Sequence, residues 1–128
     1  MMVVVDSDVL IEVTRNRDRK LIAAWFSLIE SEIEVMYSSV SAAELWAGAL
    51  PHEHDVLTRL FRSLRCASYD EETGKLAGDF MRQYRKSHNV DLADAMIAAA
   101  AVQNGALLWT RNRKHYPMKE VAFYQNVM

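Results

Sequence analysis

The chain has 128 residues, 51% of them apolar, which is enough to bury a core without crosslinks. A single cysteine, Cys66, excludes an internal disulfide, and no apolar run approaches the length that spans a bilayer. The formal net charge of −2 excludes the strongly basic class of nucleic-acid-binding domain, so any grip on phosphates has to come from local basic patches or from cations held by acids. Residues 3–5 are a β-branched apolar run that stops at Asp6, which suits a strand buried on both faces. That run is too short for a secretory signal before the aspartates begin, and with no disulfide to form, the expected compartment is the cytoplasm. A helix is expected from Asp8, as its N-cap, to Thr14. Leu21, Ile22, Trp25, Leu28 and Ile29 then mark a helix within residues 18–31. Residues 35–37 are a second short strand, and Ser41 is expected to open the helix after it. Val56, Leu57, Leu60, Phe61 and Leu64 mark a further helix, and residues 66–68 a third strand in which Cys66 is expected to be a small buried hydrophobe. Asp70 caps a helix that ends in Arg82, Arg85, Lys86 and His88, basic residues that complement a helix C-terminus. An alanine-rich helix over residues 91–104 closes at Gly105, the residue best suited to a left-handed C-cap. Residues 107–109 are a fourth strand and residues 121–124 a candidate fifth.

Strands alternating with helices imply one domain over residues 1–128, an α/β fold in three α/β/α layers around a mostly parallel sheet of four to five strands. This order of elements carries four polar residues to one place. Asp6 ends the first strand. Glu44 lies just inside the helix that follows the second strand. Asp94 lies in the first turn of the alanine-rich helix, which runs antiparallel to the fourth strand because only a glycine turn joins them. Asn112 follows that fourth strand. All four therefore belong to the carboxyl edge of the sheet, where open α/β folds bind their ligands. Clustered carboxylates repel, and a hard divalent cation with oxygen ligands resolves the repulsion. Such an ion makes water nucleophilic and offsets charge on a phosphoryl group under attack, so the pattern points to metal-assisted phosphodiester hydrolysis.

Each of these residues also has a purely structural reading. Ser41-Ala42-Ala43-Glu44 fits a capping box in which Glu44 reaches back to a helix-terminal amide. Asp91 and Asp94 fit first-turn acids that complement a helix dipole. Asn112 fits an ordinary turn residue. Asp6 is hardest to explain this way, since a carboxylate that ends an apolar strand is costly to bury and is expected to gain no helix cap. Individually the signals are weak, and their shared location is what raises them.

In that setting the run Val4-Val5-Asp6-Ser7-Asp8-Val9-Leu10-Ile11 resembles the opening motif of PIN domains. Ser41-Ala42-Ala43-Glu44-Leu45 with Gly48 resembles their second motif. Asp94-Ala95-Met96-Ile97, continued by four alanines, resembles the third, and Trp109-Thr110-Arg111-Asn112 with His115-Tyr116 the fourth. The third and fourth are close to the form seen in VapC-type toxins. The resemblance implies endonucleolytic cleavage of RNA with Mg²⁺ or Mn²⁺, a homodimer, and an antitoxin partner that blocks the site. It places Asp6, Glu44 and Asp94 as metal-binding acids. Asn112 takes a fourth position where many members carry aspartate, and a neutral oxygen there weakens the case for a tightly bound second metal. Thr110 matches a hydroxyl that orients the site, while Asp91 has no firm counterpart and is an accessory acid at most.

Arg111, Arg113 and Lys114 follow the site and are candidate RNA contacts. Arg15, Arg17, Arg19 and Lys20 form a second basic group better explained as a solvated face. His115, nearest the site among the histidines, is set aside as a turn residue. Two other readings stand beside this one. Asp6-Ser7-Asp8 after a strand also resembles the nucleophile motif of haloacid-dehalogenase-type phosphatases, in which Asp6 would attack phosphate covalently. The chain is short for that fold and lacks a lysine where its later motif would want one. A catalytically inactive PIN-like binding module is the other, and the three acids argue against it.

Overall fold

Val3, Val4 and Val5 are fully buried, as a central strand of a parallel sheet must be. They form β1 (Met2–Val5) in the computed structural model, which describes residues 1–125. The other strands are β2 (Glu34–Ser38), β3 (Arg65–Ala67) and β4 (Leu107–Trp109). Their order is β3-β2-β1-β4 and every pairing is parallel. The expected fifth strand is reduced to a single parallel bridge between Leu108 and Phe123. Leu108 donates to the Ala122 carbonyl and accepts from the Tyr124 amide, both at 2.8 Å, and the described residues add no further rung.

Six helices cover the sheet among the described residues: α1 (Ser7–Arg15), α2 (Arg19–Glu30), α3 (Ser39–Ala47), α4 (His54–Ser63), α5 (Glu71–His88) and α6 (Leu92–Gln103). The register shows how the pleat divides the core. Val4 pairs with Met36 and Leu108, and all three face α5 and α6. Val3 pairs with Val35 and Val5 with Trp109, and these four face α1, α2 and α4 on the other side. The three layers expected from the sequence are thus present. In α6, Ala95 and the run Ala98, Ala99, Ala100 and Ala101 are all buried. Their small side chains let this helix lie close between α5 and the sheet, which explains a helix apolar on nearly every side.

Three local expectations are corrected. The helix α1 begins at Ser7 with Asp6 as its N-cap, so Asp8 is inside the first turn and is not the cap. The helix α3 begins at Ser39, capped by the Ser38 hydroxyl on the Val40 amide at 3.1 Å, and Ser41 lies within it. Cys66 is exposed, because β3 is a short edge strand and cannot cover both faces of its middle residue.

Gly105 joins α6 to β4 at φ +62°, where a side chain is strained whatever room surrounds it. An added Cβ there would meet nothing within 4 Å, so the cost of Gly105→Ala is conformational alone. We expect that variant to lose about 1 kcal/mol of stability. Urea denaturation measures it, and an unchanged midpoint would show that the turn relaxes.

Candidate active site

The strands β1 and β4 are neighbours, so their carboxyl ends bring Asp6 and Thr110 together. The Asp6 amide donates to the Trp109 carbonyl at 2.9 Å, continuing the ladder. The Thr110 hydroxyl donates to Asp6 Oδ2 at 2.8 Å and accepts from the Asn112 amide at 3.0 Å. Asp6 Oδ1 accepts from the Ser7 amide at 2.7 Å. Asp6 therefore does cap a helix, contrary to the sequence expectation, and both of its oxygens are held.

Asp8 turns to the same place from α1. Its Oδ2 accepts from the Arg111 amide at 3.1 Å, with the Thr110 hydroxyl at 3.4 Å. Its Oδ1 is buried and has no hydrogen-bond partner among the described residues. Burial, and then the charge of Asp6, pushes the Asp8 carboxyl up to about 6. Nothing in the spacing of residues 6–11 separates this role from a helix cap.

Glu44 comes from α3, beyond its first turn, and the capping box is absent. The Glu44 Oε1 and the Ser41 hydroxyl both meet Ser7 Oγ, at 2.7 and 2.8 Å. Ser7 has one proton, so the bonds order themselves: Ser41 donates to Ser7, and Ser7 donates to the carboxylate. Ser41 is fully buried and Ser7 nearly so, which favours this chain of hydroxyls over bonds to water.

From α6, Asp91 is the N-cap and accepts from the Asp94 amide at 2.8 Å. Asp94 is half-buried, and its carboxyl is also pushed up to about 6, by burial first, then by Asp91 and Asp6, against a lowering by His115. His115 Nδ1 lies 3.9 Å from Asp94 Oδ2, and its Nε2 lies 3.2 Å from Asn112 Nδ2. Tyr116 is 3% exposed and its hydroxyl has no partner among the described residues. Burial and the carboxylates of Asp6 and Asp94 raise its pKa, so it stays protonated.

These groups line one open cavity of about 300 Å³, walled by Asp6, Ser7, Asp8, Ile11, Glu44, Asp91, Asp94, Ile97, Asn112 and His115. The structure thus brings together all four residues proposed for catalysis and adds Ser7, Asp8 and His115. The basic residues nearby are less free than the sequence implied. Arg111 faces Glu12 and Asp18 at 3.7 and 3.6 Å, and Arg113 stacks on Phe123 at 4.9 Å. Lys114 is exposed.

The PIN domain family model matches residues 3–124 of this chain. The chain belongs to the PIN-domain family. It is homologous to Ribonuclease VapC10 of Mycobacterium tuberculosis, with 39% identity over 93% of this chain and 89% of that protein. Ribonuclease VapC19 of the same organism is 34% identical over 71% of this chain and 74% of its own length. Among solved structures, VapBC2 from Rickettsia felis, bound to a DNA fragment from its promoter, aligns with a TM-score of 0.82. It covers 97% of this chain and 98% of that one at 16% identity, which attests the shared fold. Family membership, together with an Asp6 whose oxygens are both engaged, sets aside the phosphatase reading in which Asp6 is a free nucleophile.

The donor set of this PIN domain suits a hard cation. Every wall acid offers oxygen, and the orphaned Asp8 Oδ1 is a buried acceptor awaiting a positive partner. Among the described residues, no three acid, imidazole or thiol groups are already gathered around one point. The residues therefore fit an ion that draws carboxylates inward or keeps part of its water shell, as Mg²⁺ does.

The raised carboxyls of Asp8 and Asp94 set a sign for pH dependence. In the folded protein both bind protons up to about pH 6, above the unfolded range. Between the two ranges the native state holds more protons, so metal-free stability falls as pH rises toward 6 and beyond. We expect the melting temperature without metal to be higher at pH 5 than at pH 7, relative to an Asp8→Asn/Asp94→Asn variant. At pH 7, Mn²⁺ at a hundredfold excess over its dissociation constant should stabilise the wild type by about 2.7 kcal/mol and the double variant far less. Equal shifts in both proteins would place metal binding elsewhere.

Proposed function

We propose that this PIN domain is a metal-dependent endoribonuclease and the toxin of a toxin–antitoxin pair. The observation that carries the reading is the cavity at the carboxyl edge, which five carboxylates line, one of them with a buried oxygen that has no partner among the described residues. The homologous ribonucleases support the choice of RNA as substrate. Asp6, Glu44 and Asp94 would hold Mg²⁺ or Mn²⁺, with Asp8 beside them and Asp91 as an accessory acid. Bound there, the cation would supply Lewis acidity, making water nucleophilic and offsetting charge on the phosphoryl oxygens. Thr110 fixes the Asp6 carboxylate, and the Ser41–Ser7 hydroxyl chain fixes that of Glu44. Asn112 and His115 form the rim that a bound strand would meet, with Lys114 the basic residue of that segment best placed to attract phosphates. Single-stranded loops of structured RNA suit an open cavity, because their bases can be splayed out.

The proposal includes a cytoplasmic homodimer and an antitoxin that blocks the cavity. A shallow trough lined by Ile11, Leu45, Ala49 and Leu57 runs beside it and shares Ile11 and Glu44 with it. A partner seated in that trough would reach Glu44 and stand beside the other acids. Light scattering on the isolated chain tests the dimer.

Cleavage should stop with EDTA and leave a 3′-hydroxyl and a 5′-phosphate, because no ribose hydroxyl is needed as nucleophile. Products ending in 2′,3′-cyclic phosphate would overturn the mechanism. Glu44→Gln keeps an acceptor for Ser7, so metal-free stability should change by less than about 1 kcal/mol. It removes the charge a hard cation needs, so cleavage should fall roughly tenfold or more. A glutamine variant that cuts at the wild-type rate would remove Glu44 from the catalytic set.

A further inference from the structure

Arg111 stands beside Arg113 and Lys114 at the mouth of the cavity, where a phosphate contact would be expected. The structure gives it other partners. Its backbone N–H donates to Asp8 Oδ2 at 3.1 Å. Its guanidinium spans two carboxylates, with Nη1 3.7 Å from Glu12 Oε1 and Nη2 3.6 Å from Asp18 Oδ2. Glu12 is only 6% exposed, and burying a carboxylate that deep is costly unless cations pair with it. Its other oxygen accepts from Arg17 Nε and Nη2 at 3.3 and 3.2 Å. Asp18 is itself fixed as the N-cap of α2, accepting from the Leu21 amide at 3.1 Å. The charges alternate along Arg17, Glu12, Arg111 and Asp18. On α1, Asp8 and Glu12 are one turn apart and share a face. Asp8 takes the Arg111 amide, and Glu12 takes its guanidinium.

We propose that Glu12 is a positioning residue for the cavity, acting with Asp18 through Arg111 to clamp residues 110–112 against α1. The clamp keeps the Thr110 hydroxyl on Asp6, the Arg111 amide on Asp8 and Asn112 at the cavity wall. It also explains why the residue is arginine, whose planar fork reaches two carboxylates where a lysine ammonium is a single point. Two flanking anions already offset the guanidinium, which leaves it little attraction for RNA. The kinetic readout rests on the ribonuclease reading.

The test is a double-mutant cycle on Glu12 and Arg111 with amide hydrogen exchange beside it. Arg111→Lys keeps the charge and loses the span. Glu12→Ala removes an anion, which would tighten RNA binding if Arg111 were a phosphate contact. We expect each to lower kcat roughly 10- to 100-fold, the usual range for groups that orient metal ligands, at near-constant KM and unchanged salt dependence. The double variant should be no worse than the worse single one, because both act through one clamp. Glu12→Asp, which keeps an anion facing Arg111, should recover part of kcat. The Arg111 N–H should exchange slowly in the wild type and lose protection in both single variants, read without RNA or metal. Wild-type kcat in Arg111→Lys with a raised KM in Arg111→Ala would make Arg111 an RNA contact and overturn the clamp. Additive losses would overturn it too, as would a lowered melting temperature with kcat and exchange intact. A wild type that cleaves no RNA would end the ribonuclease reading alone. In that case exchange still decides, and Arg111 protection that survives Glu12→Ala overturns the clamp.

Discussion

Mutual repulsion among carboxylates at one end of the sheet is the constraint on which this molecule turns. Asp6 and Asp8 arrive there because β1 ends and α1 begins, and Asp91 and Asp94 because α6 must run back from β4. None of them can leave without breaking an element. Burial first, and then this repulsion, raises the Asp8 and Asp94 carboxyls to about 6. The cost is offset elsewhere, by a buried alanine face that seats α6 and by strand residues with no exposure at all. Under the proposed function, a bound cation would relieve that crowding.

Around the acids, hydroxyls do the fine placement. Thr110 and Ser7 each join two distant parts of the chain, Thr110 to Asp6 across 104 residues and Ser7 to Glu44 across 37. Glu44 has one oxygen fixed and still offers the other, while Asp6, held at both oxygens, offers their remaining lone pairs. Each therefore keeps its direction while leaving acceptor capacity toward the cavity. The hydroxyl of Tyr116, without a partner among the described residues, lies under the same cluster and stays protonated through burial beside Asp6 and Asp94.

Much of this was legible in the chain. The valine run ending at Asp6, the alanine-rich helix and the glycine after it were enough to put Asp6, Asp94 and Asn112 at one edge, since element order alone fixes which end of a strand faces which end of a helix. What failed was finer than an element. A shift of three residues in the cap of α3, from Ser41 to Ser38, moved Glu44 out of a capping box, and a shift of two in α1 passed the cap from Asp8 to Asp6. Sequence periodicity places a helix but not its first residue, because the cap is chosen by which side chain the preceding strand leaves free. The hydroxyl chain from Ser41 and the grip of Glu12 on Arg111 had no local signature, as both join residues with no shared period. Cys66 was misplaced for a related reason: whether a strand is central or at the edge depends on pairing order, which composition does not carry.

That edge has a consequence of its own. An open parallel sheet offers bare amides and carbonyls along both outer strands, where copies of a chain can stack into aggregates. Here β4 is partly screened by the bridge from Phe123. The opposite border, β3, is three residues long and begins with Arg65, whose guanidinium reaches Glu34 at 2.7 Å on the neighbouring strand. A second molecule approaching that border finds too few rungs to extend a ladder and a fixed cation at its mouth. The brevity of β3 thus works as protection against stacking in a crowded solution.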